Sequence, residues 1–123
     1  MNKPVKSARS FEEDSVLSKA LIRAANLLGI NQITLSHILG LSPASVSRLI
    51  AGHTLPRTQH KAWELACLLI RLYRSLVAIV GPEQAKIWLG GHNHSLNARP
   101  IDLIQHTEGL VRVVWYLDSY RGR

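Results

Sequence analysis

Between Ser42 and Arg48 the chain reads Ser-Pro-Ala-Ser-Val-Ser-Arg. Three hydroxyls, a small apolar side chain and a guanidinium thus fall within about two helical turns. These groups suit the edges of DNA bases. Arg48 can donate two parallel hydrogen bonds to a guanine, a contact worth about 1–3 kcal/mol of discrimination, and Ala44 can touch a thymine methyl. Ser45 and Ser47 are adaptable partners for either. Gln32, Ser42, Arg57 and Lys61 flank them with groups suited to phosphate oxygens, which fix position but carry no sequence information. One strong base reader makes a sparse reading head. A single copy should bind weakly, and operator selection should need two half-sites on a dimer or higher assembly.

Other chemistry is thin. His92 and His94 flank Asn93; two imidazoles begin a metal site, but no third ligand is indicated, His106 and Asp102 being the nearest candidates. Turn and cap roles suit this loop better, so neither metal nor cofactor is expected. No Gly-x-Ser-x-Gly elbow, phosphate-binding loop, Cys–His signature or clustered carboxylate pair occurs, so no catalytic residue is assigned and no enzyme is expected.

The bulk properties fit a polyanion-binding globule. The 123 residues suit one domain or two small ones, and 46% hydrophobic content supports a packed core. The formal charge is +7. Residues 1–60 hold seven basic against three acidic side chains, and residues 61–123 eight against five, so positive charge is spread along the chain. No apolar run approaches the roughly 18 residues of a membrane span, and the N-terminal stretch lacks the apolar core of a signal peptide. Cys67 is the sole cysteine, so no disulfide framework exists. Together these give the expectation of a cytoplasmic protein without membrane contact.

The elements that must carry these groups are all helical. Residues 1–14 read as a flexible arm, polar and basic over residues 1–10. Val16, Leu17, Ala20, Leu21, Ala24, Leu27 and Leu28 recur at helical spacing, predicting a helix from Ser15 to Leu28 with Glu12, Glu13 and Asp14 complementing its dipole. Asn31 caps a short second helix. Gly40-Leu41 breaks it, and Ser42 caps a third with Pro43 at its first position. Thr58 is the expected cap of a long helix reaching Val80, apolar around most of its circumference. Such a helix is buried from more than one side, which in a chain this small points to a homodimer. Gly81-Pro82 ends it. Short helices follow from Pro82 and Pro100, then a final one from Thr107 to Tyr120. The fold class is all-α. Residues 15–80 form a helix-turn-helix unit with a long dimerisation helix, and residues 81–123 form a second unit.

On these residues alone a DNA-binding regulator with a dimerising or ligand-sensing second half is one reading. Resemblance adds another. Gln32, Leu35, Gly40, Val46, Ser47 and Leu49 keep the register of the Xre-like helix-turn-helix, with Ser36 in place of the usual alanine. From Ala85 onward, Trp88-Leu89, Asn93, Leu96, Pro100, Asp102-Leu103, Thr107 and Gly109 follow in order. That order resembles the toxin-binding domain of Xre/MbcA/ParS antitoxins.

The resemblance implies a protein that represses its own operon and neutralises a toxin with an RES domain, an NAD-depleting enzyme, by blocking its active site. The final helix and tail would make the contact, through Leu110, Val113, Val114, Trp115, Tyr116, Leu117, Tyr120, Arg121 and Arg123. An apolar face with aromatics near a chain end independently suits an interface. The implied partners are that toxin and double-stranded operator DNA.

Overall fold

In the computed structural model, residues 8–121 are described. They form seven helices. The first, α1 (Ala8–Leu27), leads to α2 (Gln32–Leu39), α3 (Pro43–Ile50) and the long α4 (His60–Val80). Then come α5 (Pro82–Gly90), the single-turn α6 (Pro100–Leu103) and α7 (Thr107–Arg121). The only β pairing among the described residues is an isolated bridge between Asn93 and Ala98.

The short-range signals work as their chemistry dictates. Asn31 accepts the Thr34 N–H through its side chain at 2.8 Å and opens α2. Ser42 does the same for Ser45 at 3.1 Å, with Pro43 in the first helical position of α3. Between them Gly40 takes a left-handed conformation, φ 65°, and its N–H and that of Leu41 both reach the Ser36 carbonyl. This closes α2 in one residue and turns the chain sharply into α3.

Two expectations at helix starts fail for one reason. Helix α1 begins at Ala8, so the arm expected over residues 1–14 is helical from there. Glu12, Glu13 and Asp14 therefore lie beyond its first turn, which holds no acidic residue. Thr58 does not cap α4 either; Gln59 occupies the cap position and offers no side-chain bond. Asp14 is fully buried instead. Its carboxylate accepts the Trp63 indole N–H at 3.3 Å and the Arg57 backbone N–H at 3.5 Å. One turn on, the Ser18 hydroxyl accepts the Leu55 N–H at 2.8 Å and donates to the Asp14 carbonyl. The loop entering α4 is thus held by side chains of α1, a long-range pairing that no local pattern announces.

Helix α4 is the axis of the molecule. It packs against α1 and α2 as well as α5 and α7, most extensively against α7. Leu65, Ala66, Leu69, Leu72 and Leu76 are buried, together with Leu21, Leu35, Leu39 and Val46 of the N-terminal helices and Leu89, Ile104, Leu110, Val113 and Leu117 of the C-terminal ones. All belong to one continuous core. Much of the breadth of the apolar face of α4 is therefore filled within the chain, by α7.

Candidate functional site

Helix α3 is amphipathic: Val46 and Leu49 anchor it in the core, while Ala44, Ser47 and Arg48 stand exposed. The reading groups proposed from the sequence divide into two sets. Gln32 donates from its amide to the Pro43 carbonyl at 2.9 Å, which pins the start of α2 to the start of α3. Ser42 and Ser45 share a 3.0 Å hydroxyl bond in the cap of α3. These three side chains build the motif and have less to offer a phosphate or base than expected. Ala44, Ser47 and Arg48 remain, Arg48 resting against the Ser45 hydroxyl at 3.5 Å.

Arg57 is withdrawn from the DNA side. Its guanidinium pairs with Glu13 at 2.5 Å and lies over the Trp63 ring, 4.5 Å from the centroid. Lys61 is the reverse case: its pairing with Glu64 is 3.5 Å long and largely exposed, so it contributes little and leaves the ammonium available. Three residues between α3 and α4 were not among the candidates read from the sequence. His53, Thr54 and Gln59 line a cleft of about 180 Å³ together with Ser45 and Arg48. Their position in the loop leaving a recognition helix was the available signal.

The C-terminal surface is assembled from α5, α7 and the loop between α5 and α6. Here the expectation needs correction. Leu110, Val113, Val114 and Leu117 are all buried, at most 2% exposed, because their face of α7 is the one that packs on α4. They support a docking surface and cannot form it. Of the expected contact residues Trp115 is 70% and Tyr120 46% exposed, and Tyr116 is half-buried between them and the core.

An aromatic ladder runs across this surface. Trp88 of α5 lies nearly parallel to Tyr116, at 16° and 6.3 Å between centroids, and Tyr120 meets Tyr116 edge-on at 5.0 Å. The hydrogen bond shared with Tyr120 draws the Tyr116 phenol below its ordinary range; burial opposes it, and Ser95 and Asn93 side chains add to it. Asn93 also accepts the Leu96 N–H through its side chain, and Arg112 donates to the Leu96 carbonyl at 3.0 Å, so the loop is fastened to α7. His92 and His94 meet edge to face on the exposed side of this loop, 5.2 Å apart, and no third metal-binding side chain joins them among the described residues.

Arg121 turns back on the fold. It donates to the Ser75 hydroxyl at 3.3 Å, beside Asp118, which accepts from Ser75 at 3.2 Å and pairs with Arg71. Arg123 lies outside the described residues.

Residues 75–123 match the family model of the antitoxin Xre/MbcA/ParS C-terminal toxin-binding domain, and residues 7–71 that of the antitoxin Xre-like helix-turn-helix domain. The chain is an Xre/MbcA/ParS-family antitoxin. Among curated proteins no match was found. The antitoxin thus joins a DNA-binding half to a toxin-binding half, and the family assigns it a regulatory part in a toxin–antitoxin pair. The two matched regions abut inside α4, between residues 71 and 75. One helix serves both halves. A second tie crosses between them: His37 Nδ1 of α2 shares a 2.9 Å hydrogen bond with the Gln105 side chain, between α6 and α7.

The aromatic ladder of the antitoxin also explains its Trp-Leu pair. Leu89 is buried and locks α5 into the core, while Trp88 builds the surface. Gly109 answers another need. A Cβ there would stand 2.0 Å from the Leu103 carbonyl oxygen, so α6 and α7 can approach this closely only with glycine at that position.

Proposed function

We propose that the antitoxin neutralises an NAD-depleting toxin with an RES domain by steric occlusion of its active site, and that it represses its own operon as a homodimer. The observation carrying this reading is that one rigid core leaves two unrelated surfaces free: the polar outer face of α3 and the aromatic face of α7. Trp115 and Tyr120 supply area at low entropic cost, with Tyr116 and Trp88 behind them as a rigid backing. Arg121, on release from Ser75, or Arg123 can set a guanidinium against a carboxylate of the active-site entrance.

At the DNA, Arg48 reads a guanine, Ala44 and Ser47 add contacts, and Lys61 holds a phosphate. Two copies on a two-fold operator supply what one sparse helix lacks. Both roles, as proposed, are those of a cytoplasmic protein.

Co-expression tests the first half: the antitoxin should restore growth and NAD levels in cells making an RES-domain toxin, and should co-purify with it. Failure to bind any RES-domain toxin encoded beside it would overturn the assignment. Removal of residues 121–123 isolates the tail. Neutralisation unchanged by that deletion would leave occlusion to α7 alone.

A further inference from the structure

One further groove lies apart from the outer face of α3 and from the aromatic ladder. It is an open groove of about 830 Å³ between α1 and α4, floored by Leu17, Ala20, Trp63, Cys67 and Ile70. Val16 stands on its edge with 68% of its surface exposed, which sets it beside Trp115 and Ile87 among the barest large apolar side chains described. Burial in this apolar setting pushes the Cys67 thiol up from its ordinary value.

The charges on the rim are sorted. Glu12 and Glu13 occupy the end at Arg57 and Trp63; Arg71, Arg74 and Arg121 occupy the other. From Trp63 to Arg74 is eleven helical residues, about 16 Å along α4. Glu13 is answered by Arg57 and Arg71 by Asp118, while Arg121 is held by the Ser75 hydroxyl. Glu12 and Arg74 have no ionic partner among the described residues.

An apolar floor with an unanswered acid, Glu12, at one end and an unanswered base, Arg74, at the other is complementary to itself. A two-fold axis through its middle sets Glu12 of each copy against Arg74 of the other and closes Val16 onto the opposite floor. We infer that this groove is where a second copy of the chain docks, α1 and α4 forming the dimer contact. The inference rests on the homodimer proposed above and names its surface. An isologous contact of this kind closes at two copies, and it leaves α3 and the aromatic face of α7 uncovered in both.

Sedimentation of the full chain without toxin or DNA tests it. The expected result is a dimer that Glu12→Arg or Arg74→Glu weakens by about tenfold or more, as truncation or reversal at a charge pair does. The combined Glu12→Arg/Arg74→Glu protein should recover the affinity, and Val16→Asp should give a monomer. All three sites are exposed at the surface, and circular dichroism confirms that each variant is folded. A monomer at every concentration, or a dimer indifferent to these changes, overturns the inference. So does loss of toxin co-purification, without any change in self-association, which would make the groove a toxin contact. Toxin rescue by the folded variants is scored separately, so failure of the dimer surface is distinguishable from failure of the antitoxin reading.

Discussion

Gln32 and Pro43 are joined by a 2.9 Å bond from a side-chain amide to a backbone carbonyl, and this bond spans the turn of the helix-turn-helix. It separates two kinds of residue that look alike in a list of polar groups near DNA. Gln32→Ala should cost about 1 kcal/mol of stability, the net worth of a hydrogen bond. Arg48→Ala should leave the denaturation midpoint unchanged and lower discrimination at one operator position by about 1–3 kcal/mol. Urea titration and competition binding against single-base operator variants make the comparison. An Arg48→Ala protein with normal operator preference would refute its role as the base reader.

Asp14 should prove one of the most sensitive polar positions. Replacing it by alanine leaves the half-buried Trp63 indole N–H and the Arg57 backbone N–H without their acceptor, so a loss of about 1–3 kcal/mol is expected. Equilibrium unfolding in urea measures it. A loss below about 0.5 kcal/mol, the range of ordinary surface changes, would mean that the loop before α4 is held by its apolar contacts alone.

Position 109 tests close packing. Gly109→Ala sets a methyl group against the Leu103 backbone, and overpacking of this kind costs about 1–3 kcal/mol. Thermal melting should fall by several degrees, on the order of 4–8 °C per kcal/mol for a chain near this size. Toxin binding should suffer with it, because α6 is displaced from α7.

The two faces of α7 should respond in opposite ways. Leu110→Ala should destabilise by about 2–5 kcal/mol, as large-to-small changes in a core do. Trp115→Ala should leave stability within about 0.5 kcal/mol and weaken toxin binding by about 2 kcal/mol or more, as expected of an interface anchor. Calorimetric titration with the toxin, alongside melting curves, separates the pair.

How much of this was legible follows from the range of each interaction. Asn31, Ser42, Pro43 and Gly40 act on neighbours within a few residues, so helix ends and the helix-turn-helix could be read directly. The face of α7 that enters the core could not. Leu110, Val113, Val114 and Leu117 read equally well as an interface stripe or a core stripe, and only the presence of α4 beside them decides. Asp14 was misread for the same reason. A carboxylate near a helix start has a local explanation, and its actual partners lie at Arg57 and Trp63. Arg57 looked like a phosphate ligand until Glu13 and Trp63 claimed it. Trp88 was legible as part of a Trp-Leu pair, but its stacking on Tyr116 needs the fold.

The sharing of α4 bears on how the molecule comes apart. The region matched as DNA-binding ends and the region matched as toxin-binding begins within that helix, and its buried leucines touch both. Neither half owns a complete core. A protease cut in α4 should therefore leave two fragments unable to persist alone, and denaturation should be a single cooperative transition by every probe. DNA release and toxin release would then share one melting point. Cells that lose grip on either end of this antitoxin through unfolding lose both at once.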